Sequence, residues 1–377
     1  MTYFTALVMA LVVGAGTSCT SYVGSGSNPR SLPQTSPVLV TQVEPVSDRG
    51  AEPAAAVELP DPGRQGVDLL RELPSLTVET RRALEAHRRL LRRQPTRKRY
   101  RFGDREVSSR QLIDVVDRLL KGQDNMVMQT VSLSEEPTDV HFTGYYSPVV
   151  RVRKSRDSVY RYPFLARPRG YSGKLPSRWS IERDTSLLFD TLALAWAAHP
   201  LDVYTMQLQG SGYVEYEDGT REYFAYGGTN KYPYQSLELA LKRHDPSVSD
   251  LTFDGIRDWM SEDLTTRDSV TTFNPNYGFF RRAKGSPRGA AGIRLTELVS
   301  VAADPSHYPL GSILLATTPN ARSTSGSPVV RLLLVQDTGG AVRGDAHLDL
   351  YTGVGRRGLQ AAERIFESGE VYALLPE

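Results

Sequence analysis

The apolar positions along this chain change period three times. Leu84, Leu90 and Leu91 recur at helical spacing behind Thr77, a natural N-cap. A second helix is predicted from Ser109, because Leu112, Ile113, Val115, Val116, Leu119 and Leu120 keep a 3.6-residue period and Gly122 supplies a stop. From 140 to 243 the chain turns to Tyr, Gly, Thr and Val broken by Pro and Gly, a strand-and-turn composition. One helical interruption is expected there, over 184–199, on Leu187, Leu188, Leu192, Leu194 and Trp196. Helical texture returns over 236–244 and from Phe253 to about Leu264. Beyond Phe279 strands dominate: 295–302, 312–317, 329–336, 347–351 and 371–375. Strands that are short, closely spaced and apolar on both faces suggest a compact barrel.

The amino terminus stands apart from this pattern. Residues 6–16 are apolar or small, a run too short for a bilayer, which needs about 20. Cys19 follows Gly16-Thr17-Ser18, so residues 1–19 read as a signal peptide of lipoprotein type, with lipidation at the Cys19 thiol. Residues 20–63, rich in Ser, Pro, Gly and Val, read as a flexible linker. These expectations place the protein in the cell envelope, on the periplasmic face of the outer membrane, held to the membrane by its N-terminal lipid.

Composition removes several classes. Cys19 is the single cysteine, which excludes an intramolecular disulfide, a multi-cysteine zinc site and a thiol redox pair. The net charge of +2 predicts no polyanion partner, and the arginine-rich stretch from Arg81 to Arg101 reads as a solvated helix face rather than a nucleic-acid contact. Six scattered histidines form no ligand-like pair, and His307 and His347 read as satisfied polar residues. No phosphate loop, nucleotide fingerprint or Gly-x-Ser-x-Gly elbow is present, so neither a metal nor a cofactor is expected.

Chemistry is concentrated near the carboxyl terminus. In His347-Leu-Asp-Leu-Tyr351, strand alternation sets His347, Asp349 and Tyr351 on one face and the two leucines on the other. That arrangement suits a catalytic carboxylate, but the pentapeptide alone fits an ordinary edge-strand aspartate better. Asp337 ends an apolar strand just before Thr338-Gly339-Gly340, and Asp304 precedes Pro305. Each is as much a turn former, capping nearby amides, as a chemical group. Between 142 and 230 the chain interleaves aromatics, hydroxyls and amides with glycines. Such surfaces stack on sugar rings, and a tyrosine-rich β core would look the same.

Taken in order, Phe142-Thr-Gly-Tyr-Tyr-Ser-Pro148, Gln209-Gly-Ser-Gly-Tyr213, Tyr226-Gly-Gly-Thr-Asn230, Asn274-Pro-Asn-Tyr-Gly-Phe-Phe280, Val301-Ala-Ala-Asp-Pro305 and Asp337-Thr-Gly-Gly-Ala-Val-Arg-Gly344 resemble the membrane-bound lytic transglycosylase A family. The resemblance implies a mainly β fold with flanking helices, in which a double-psi β-barrel domain receives an inserted second β-barrel domain and a groove runs between them. It divides this chain into a discontinuous catalytic domain, 64–139 and 265–377, and an insert, 140–264. By the same likeness Asp349 is the catalytic acid, in a C-terminal three-aspartate domain. Asp337 is a second acid of the catalytic site and Asp304 a supporting acid on the substrate side. Thr143, Tyr145, Gln209, Gly210, Ser211 and Gly212 fall where the glycan is contacted.

The implied reaction cleaves the β-1,4 bond between N-acetylmuramic acid and N-acetylglucosamine in peptidoglycan and leaves a 1,6-anhydromuramoyl end. Cell-wall synthesis or division complexes are the expected protein partners. Two alternatives stand beside it. A hydrolase would use Asp337 and Asp349 as a pair acting on water. A wall-binding lipoprotein would keep the groove without the chemistry.

Overall fold

The computed structural model describes residues 73–103, 105–122, 128–132, 140–170, 175–183, 191–262, 270–318 and 329–376. The expected signal segment, Cys19 and the linker lie outside the described residues.

Helix α1 (Val78–Arg92) starts where the Thr77 hydroxyl accepts the Thr80 amide, and it buries Leu84, His87, Leu90 and Leu91 on one stripe. A hairpin, β1 (Arg99–Phe102) and β2 (Arg105–Ser108), leads into α2 (Ser109–Lys121). Ser108 and Gln111 close a reciprocal capping box at its start, and Gly122 ends it at φ +65°, a conformation that favours glycine. The predicted start at Ser109 is therefore one residue inside the cap.

The strands that follow are β3 (Met128–Ser132), β4 (Val140–Ser147), β5 (Val149–Arg153) and β6 (Tyr162–Leu165). Then come α3 (Arg178–Arg183), β7 (Ala193–Ala197), α4 (Pro200–Gln209), β8 (Gly212–Glu215) and β9 (Arg221–Thr229). Helices α5 (Leu237–His244) and α6 (Phe253–Glu262) precede β10 (Gly278–Ala283), β11 (Ser300–Ala302), β12 (Ile313–Thr318) and β13 (Val329–Asp337). The chain closes with β14 (His347–Val354), α7 (Gly355–Ala362) and β15 (Glu367–Pro376).

Two sheets organise these strands. One runs β12-β13-β11-β14-β4-β15-β3, and β12 also pairs with β15, so six strands close into a barrel with β3 attached outside. Its interior is filled by Val301, Leu314, Leu333, Leu334, Leu348, Leu350 and Leu374, and α1 and α2 add Leu84, Leu91, Leu112 and Val115 to the same core. The other sheet runs β10-β9-β8-β5-β7-β6, and an Ala166–Phe280 bridge brings its last strand back to its first. Phe164, Phe224 and Phe280 pack at its centre, with Phe164 set edge-on to the other two rings at 5.8 and 5.5 Å. The protein is mainly β with flanking helices, as the resemblance implied.

Strand β4, inside the expected insert of 140–264, pairs within the first barrel, and β10, beyond that boundary, pairs within the second sheet. Two expectations need correction. The helix expected over 184–199 is not formed at its carboxyl end: 193–197 is strand β7, paired with β5 and β6, while 184–190 lie outside the described residues. The strand expected over 295–302 is only Ser300–Ala302, because Leu298 adopts φ +56° and breaks any extended run before it.

Candidate active site

Alternation along β14 buries Leu348 and Leu350 in the barrel and leaves His347 and Asp349 half-buried on the opposite face. Parallel pairing with β4 then sets Asp349 across from Thr143, Tyr351 from Tyr145 and His347 from His141. On the other side of β14 lies β11, whose Ala302 is the register partner of Asp349 on one flank and of Asp337 on the other. The two acids therefore bracket one strand, with backbones about 10 Å apart at two strand spacings.

Each carboxylate has its own set of donors. The Thr143 hydroxyl donates to Asp349 Oδ1 at 2.8 Å. Burial pushes the Asp349 carboxyl up to about 7; the Thr143 bond opposes the rise, and the nearby charge of Asp337 adds to it. Asp337 Oδ1 accepts the amides of Ala290 and Thr338, both at 2.8 Å, and Oδ2 accepts the Tyr145 hydroxyl at 2.9 Å. Burial still raises Asp337 above its ordinary value, although all three donors work to lower it. Burial, and after it the charge of Asp337, holds the Tyr145 phenol well above its own usual range, so it stays a donor. Its ring meets Tyr351 edge-on at 5.3 Å.

The loop after β10 delivers the Ala290 amide because Gly289 lies flat on the end of β13. A Cβ at Gly289 would stand 2.3 Å from the Gln336 carbonyl. Behind Asp337 a buried polar chain fixes the same strand end. Ser300 donates to the Gln336 side chain at 2.6 Å, Gln336 Nε2 lies 3.3 Å from His87 Nδ1, and His87 Nε2 lies 2.9 Å from the Gly311 carbonyl. Burial lowers His87 to about 4 against the pull of Gly311, so the ring is neutral and carries a single proton. With Gln336 donating to Nδ1, that proton sits on Nε2 and bonds Gly311.

Asp304 sits apart from these acids. Its Oδ1 accepts the Ser306 amide and hydroxyl at 3.0 and 2.6 Å, and its Oδ2 accepts the Gly344 amide at 3.0 Å. Burial alone would raise it, but these bonds outweigh that and bring it down to about 2. It braces the turn after β11 against the loop before β14, a structural hydrogen-bonding role that its place before Pro305 favours.

Gln209, at the end of α4, accepts the Tyr146 amide at 2.9 Å and so pins α4 to β4. Gly210 (φ +77°), Ser211 and Gly212 make the turn from α4 into β8. Gly212 has no room for a side chain: a Cβ would lie 2.8 Å from the Pro148 carbonyl. The structure thus brings Thr143 and Tyr145 directly onto the two acids, and it gives Gln209, Gly210 and Gly212 work in the backbone beside β4. The sequence reading took His347 for a satisfied polar residue and passed over the Ala290 amide and Gln336. Only His347 left a signal, its place on the Asp349 face.

Comparisons with known proteins match this architecture. Residues 141–281 fit the model described as "MltA specific insert domain", and 299–375 fit "3D domain". Membrane-bound lytic murein transglycosylase A of Vibrio cholerae is 40% identical over 231 residues, covering 59% of this chain and 62% of that protein. The Escherichia coli K12 protein of the same name is 33% identical over 244 residues, covering 63% of this chain and 66% of that protein. The chain thus spans less than two thirds of the length of these curated relatives. The crystal structure of Escherichia coli MltA with bound chitohexaose superposes with a TM-score of 0.63 at 26% identity, over 78% of this chain and 89% of that one. A membrane-bound lytic murein transglycosylase from Agrobacterium tumefaciens, 24% identical, shares the fold with a TM-score of 0.66 over 81% of this chain and 96% of that one. The chain belongs to the membrane-bound lytic transglycosylase A family.

Proposed function

We propose that this protein is a peptidoglycan lytic transglycosylase in which Asp349 is the single acid and base. The observation that carries the reading is the Asp349 carboxyl, fixed by Thr143 across the β4–β14 pair and pushed by burial up to about 7. A group so placed holds a proton near neutral pH and yet releases it readily, which general acid catalysis needs. The reaction follows from that. Protonated Asp349 donates to the glycosidic oxygen as the bond to muramoyl C1 breaks. The muramoyl C6 hydroxyl then attacks C1, and the Asp349 carboxylate takes its proton, returning to the starting form with no water consumed.

The geometry favours this over a two-acid hydrolase. Asp337 is occupied by two amides and the Tyr145 phenol, so it orients the site and adds charge near Asp349 rather than activating water. The chitohexaose held by the 26%-identical relative supports a β-1,4-linked amino-sugar chain as the ligand class. Thr143, Tyr145, Gln209, Gly210, Ser211 and Gly212 are proposed to line its path, with Asp304 bracing the loop behind. The relatives' name supports a cell-envelope location. Anchoring through a lipid on Cys19 at the outer membrane, and recruitment by wall-synthesis or division complexes, complete the proposal. The test is release of soluble muropeptides from purified sacculi. The native protein releases them and Asp349→Asn, with an unchanged circular dichroism spectrum, releases none; equal release by that variant overturns the assignment.

A further inference from the structure

Thr143 has a second polar neighbour. Its Oγ1 lies 2.9 Å from His347 Nε2 as well as 2.8 Å from Asp349 Oδ1. A hydroxyl has one proton to give and lone pairs to receive. If that proton goes to Asp349, then His347 must donate to Thr143, and its ring proton must sit on Nε2. If instead Nε2 were bare, it would take the Thr143 proton. Asp349 could then keep its bond only by turning its own acid proton onto Oδ1, toward Thr143 and away from a bound sugar. The choice between these states falls on His347.

We propose that His347 is a positioning residue: as the Nε2–H tautomer it turns the Thr143 hydroxyl toward Asp349 Oδ1, and so reserves the acid proton for Oδ2. The inference rests on the transglycosylase reading above. Oδ2 takes no hydrogen bond among the described residues, which leaves it open to the glycosidic oxygen. His347 neither gains nor loses a proton in the cycle. It holds the hydroxyl in place while Asp349 passes from acid to carboxylate and back, and the Thr143 bond steadies the carboxylate between the two steps.

The surroundings keep the ring in one charge state. Burial, and then the neighbouring His141 on β4, lower His347 below its ordinary value, so it is neutral where Asp349 titrates. A neutral imidazole has a single ring proton, and its position is what decides the direction of the chain. His141 is itself bonded through Nδ1 to the Ser368 hydroxyl at 2.8 Å. Tyr145 on β4 and Asp337 at the end of β13 act on Asp349, while β11 sets the uncharged Ala302 opposite it.

Three measurements on the purified protein test this. The ring ¹⁵N shifts of His347 in the native protein read the tautomer directly. Nε2–H is expected, and Nδ1–H overturns the proposal. Titration of the Asp349 carboxyl by ¹³C NMR needs no substrate. His347→Leu is expected to move its midpoint upward, because Thr143 is no longer held as its donor. Cleavage of soluble glycan strands should show a kcat lowered roughly tenfold in His347→Leu with KM unchanged, and His347→Gln, which retains an N–H donor, should recover most of the loss. A folded His347→Leu protein with native kcat and native midpoint, or a glutamine variant no better than leucine, overturns the proposal. If the native protein makes no anhydro ends the transglycosylase reading falls, whereas the tautomer and the carboxyl titration still decide the hydrogen-bond chain.

Discussion

Asp349 is costly to keep at the edge of a barrel, and that cost has a sign. Its folded value of about 7 lies above the ordinary carboxylate range near 4. A raised carboxyl binds its proton more tightly in the folded state, so its contribution to stability is complete below about pH 4 and is lost as pH rises toward 7. Asp349→Asn, which removes the charge, should therefore melt at a higher temperature than the native protein at pH 8 and nearly alongside it at pH 4, as scanning calorimetry would show. Catalysis follows the same group. The acid must be protonated for the first step, so cleavage should fall about tenfold per pH unit above about 7. Thr143→Val keeps the shape and removes the donor that holds the carboxyl down, so the alkaline limit should move to higher pH while the maximal rate drops roughly tenfold. A pH–rate profile of the variant with an unmoved limit would contradict the link between Thr143 and Asp349.

At the scale of elements, the local signals were legible and the long-range ones were not. Thr77 and Gly122 act where the Thr77 hydroxyl and the missing Gly122 Cβ predict, since capping is decided within a few residues; the Ser108 cap went unnamed. The alternation at 347–351 likewise placed Leu348 inward and Asp349 outward before any fold was known. Leu192, Leu194 and Trp196 fit a period of two as well as a helical one, and pairing with β5 and β6 settled the matter in favour of a strand. The contacts that make the site join Thr143 to Asp349 and Tyr145 to Asp337, residues far apart in sequence, and no periodicity reports them. Motif likeness carried the assignment there. Strand β4 also packs tightly beside the site. A Cβ at Gly144 would stand 2.6 Å from the Ala362 backbone, so α7 lies directly on it. Gly144→Ala should push α7 away and lower stability by about 1–3 kcal/mol, measured by denaturant unfolding, because backbone has little room to give.

At the scale of the molecule, β4 leaves the first barrel at Ser147 and β5 begins the second sheet at Val149, with Pro148 between them and its carbonyl bonded to the Tyr213 amide at 2.7 Å. The acids stand on the first barrel, while the α4–β8 turn bearing Gly210–Gly212 touches this junction, so the proposed glycan path depends on both sheets holding still. Arg178 secures part of the second body. Almost fully buried, it pairs with Glu182, bonds the carbonyls of Asn274 and Asn276, and lies against the rings of Tyr204 and Tyr277. Removing it would leave Glu182 and two carbonyls without their partner, and Arg178→Ala should cost about 3–5 kcal/mol in chemical denaturation. The central claim, however, concerns what the whole protein makes. Mass spectrometry of the products released from peptidoglycan sacculi tests it most directly. Muropeptides about 18 Da lighter than their hydrolysed counterparts, one water short because the C6 hydroxyl closes on C1, are the predicted result. Reducing ends at the full hydrolysed mass would contradict it and return the site to a pair of acids acting on water.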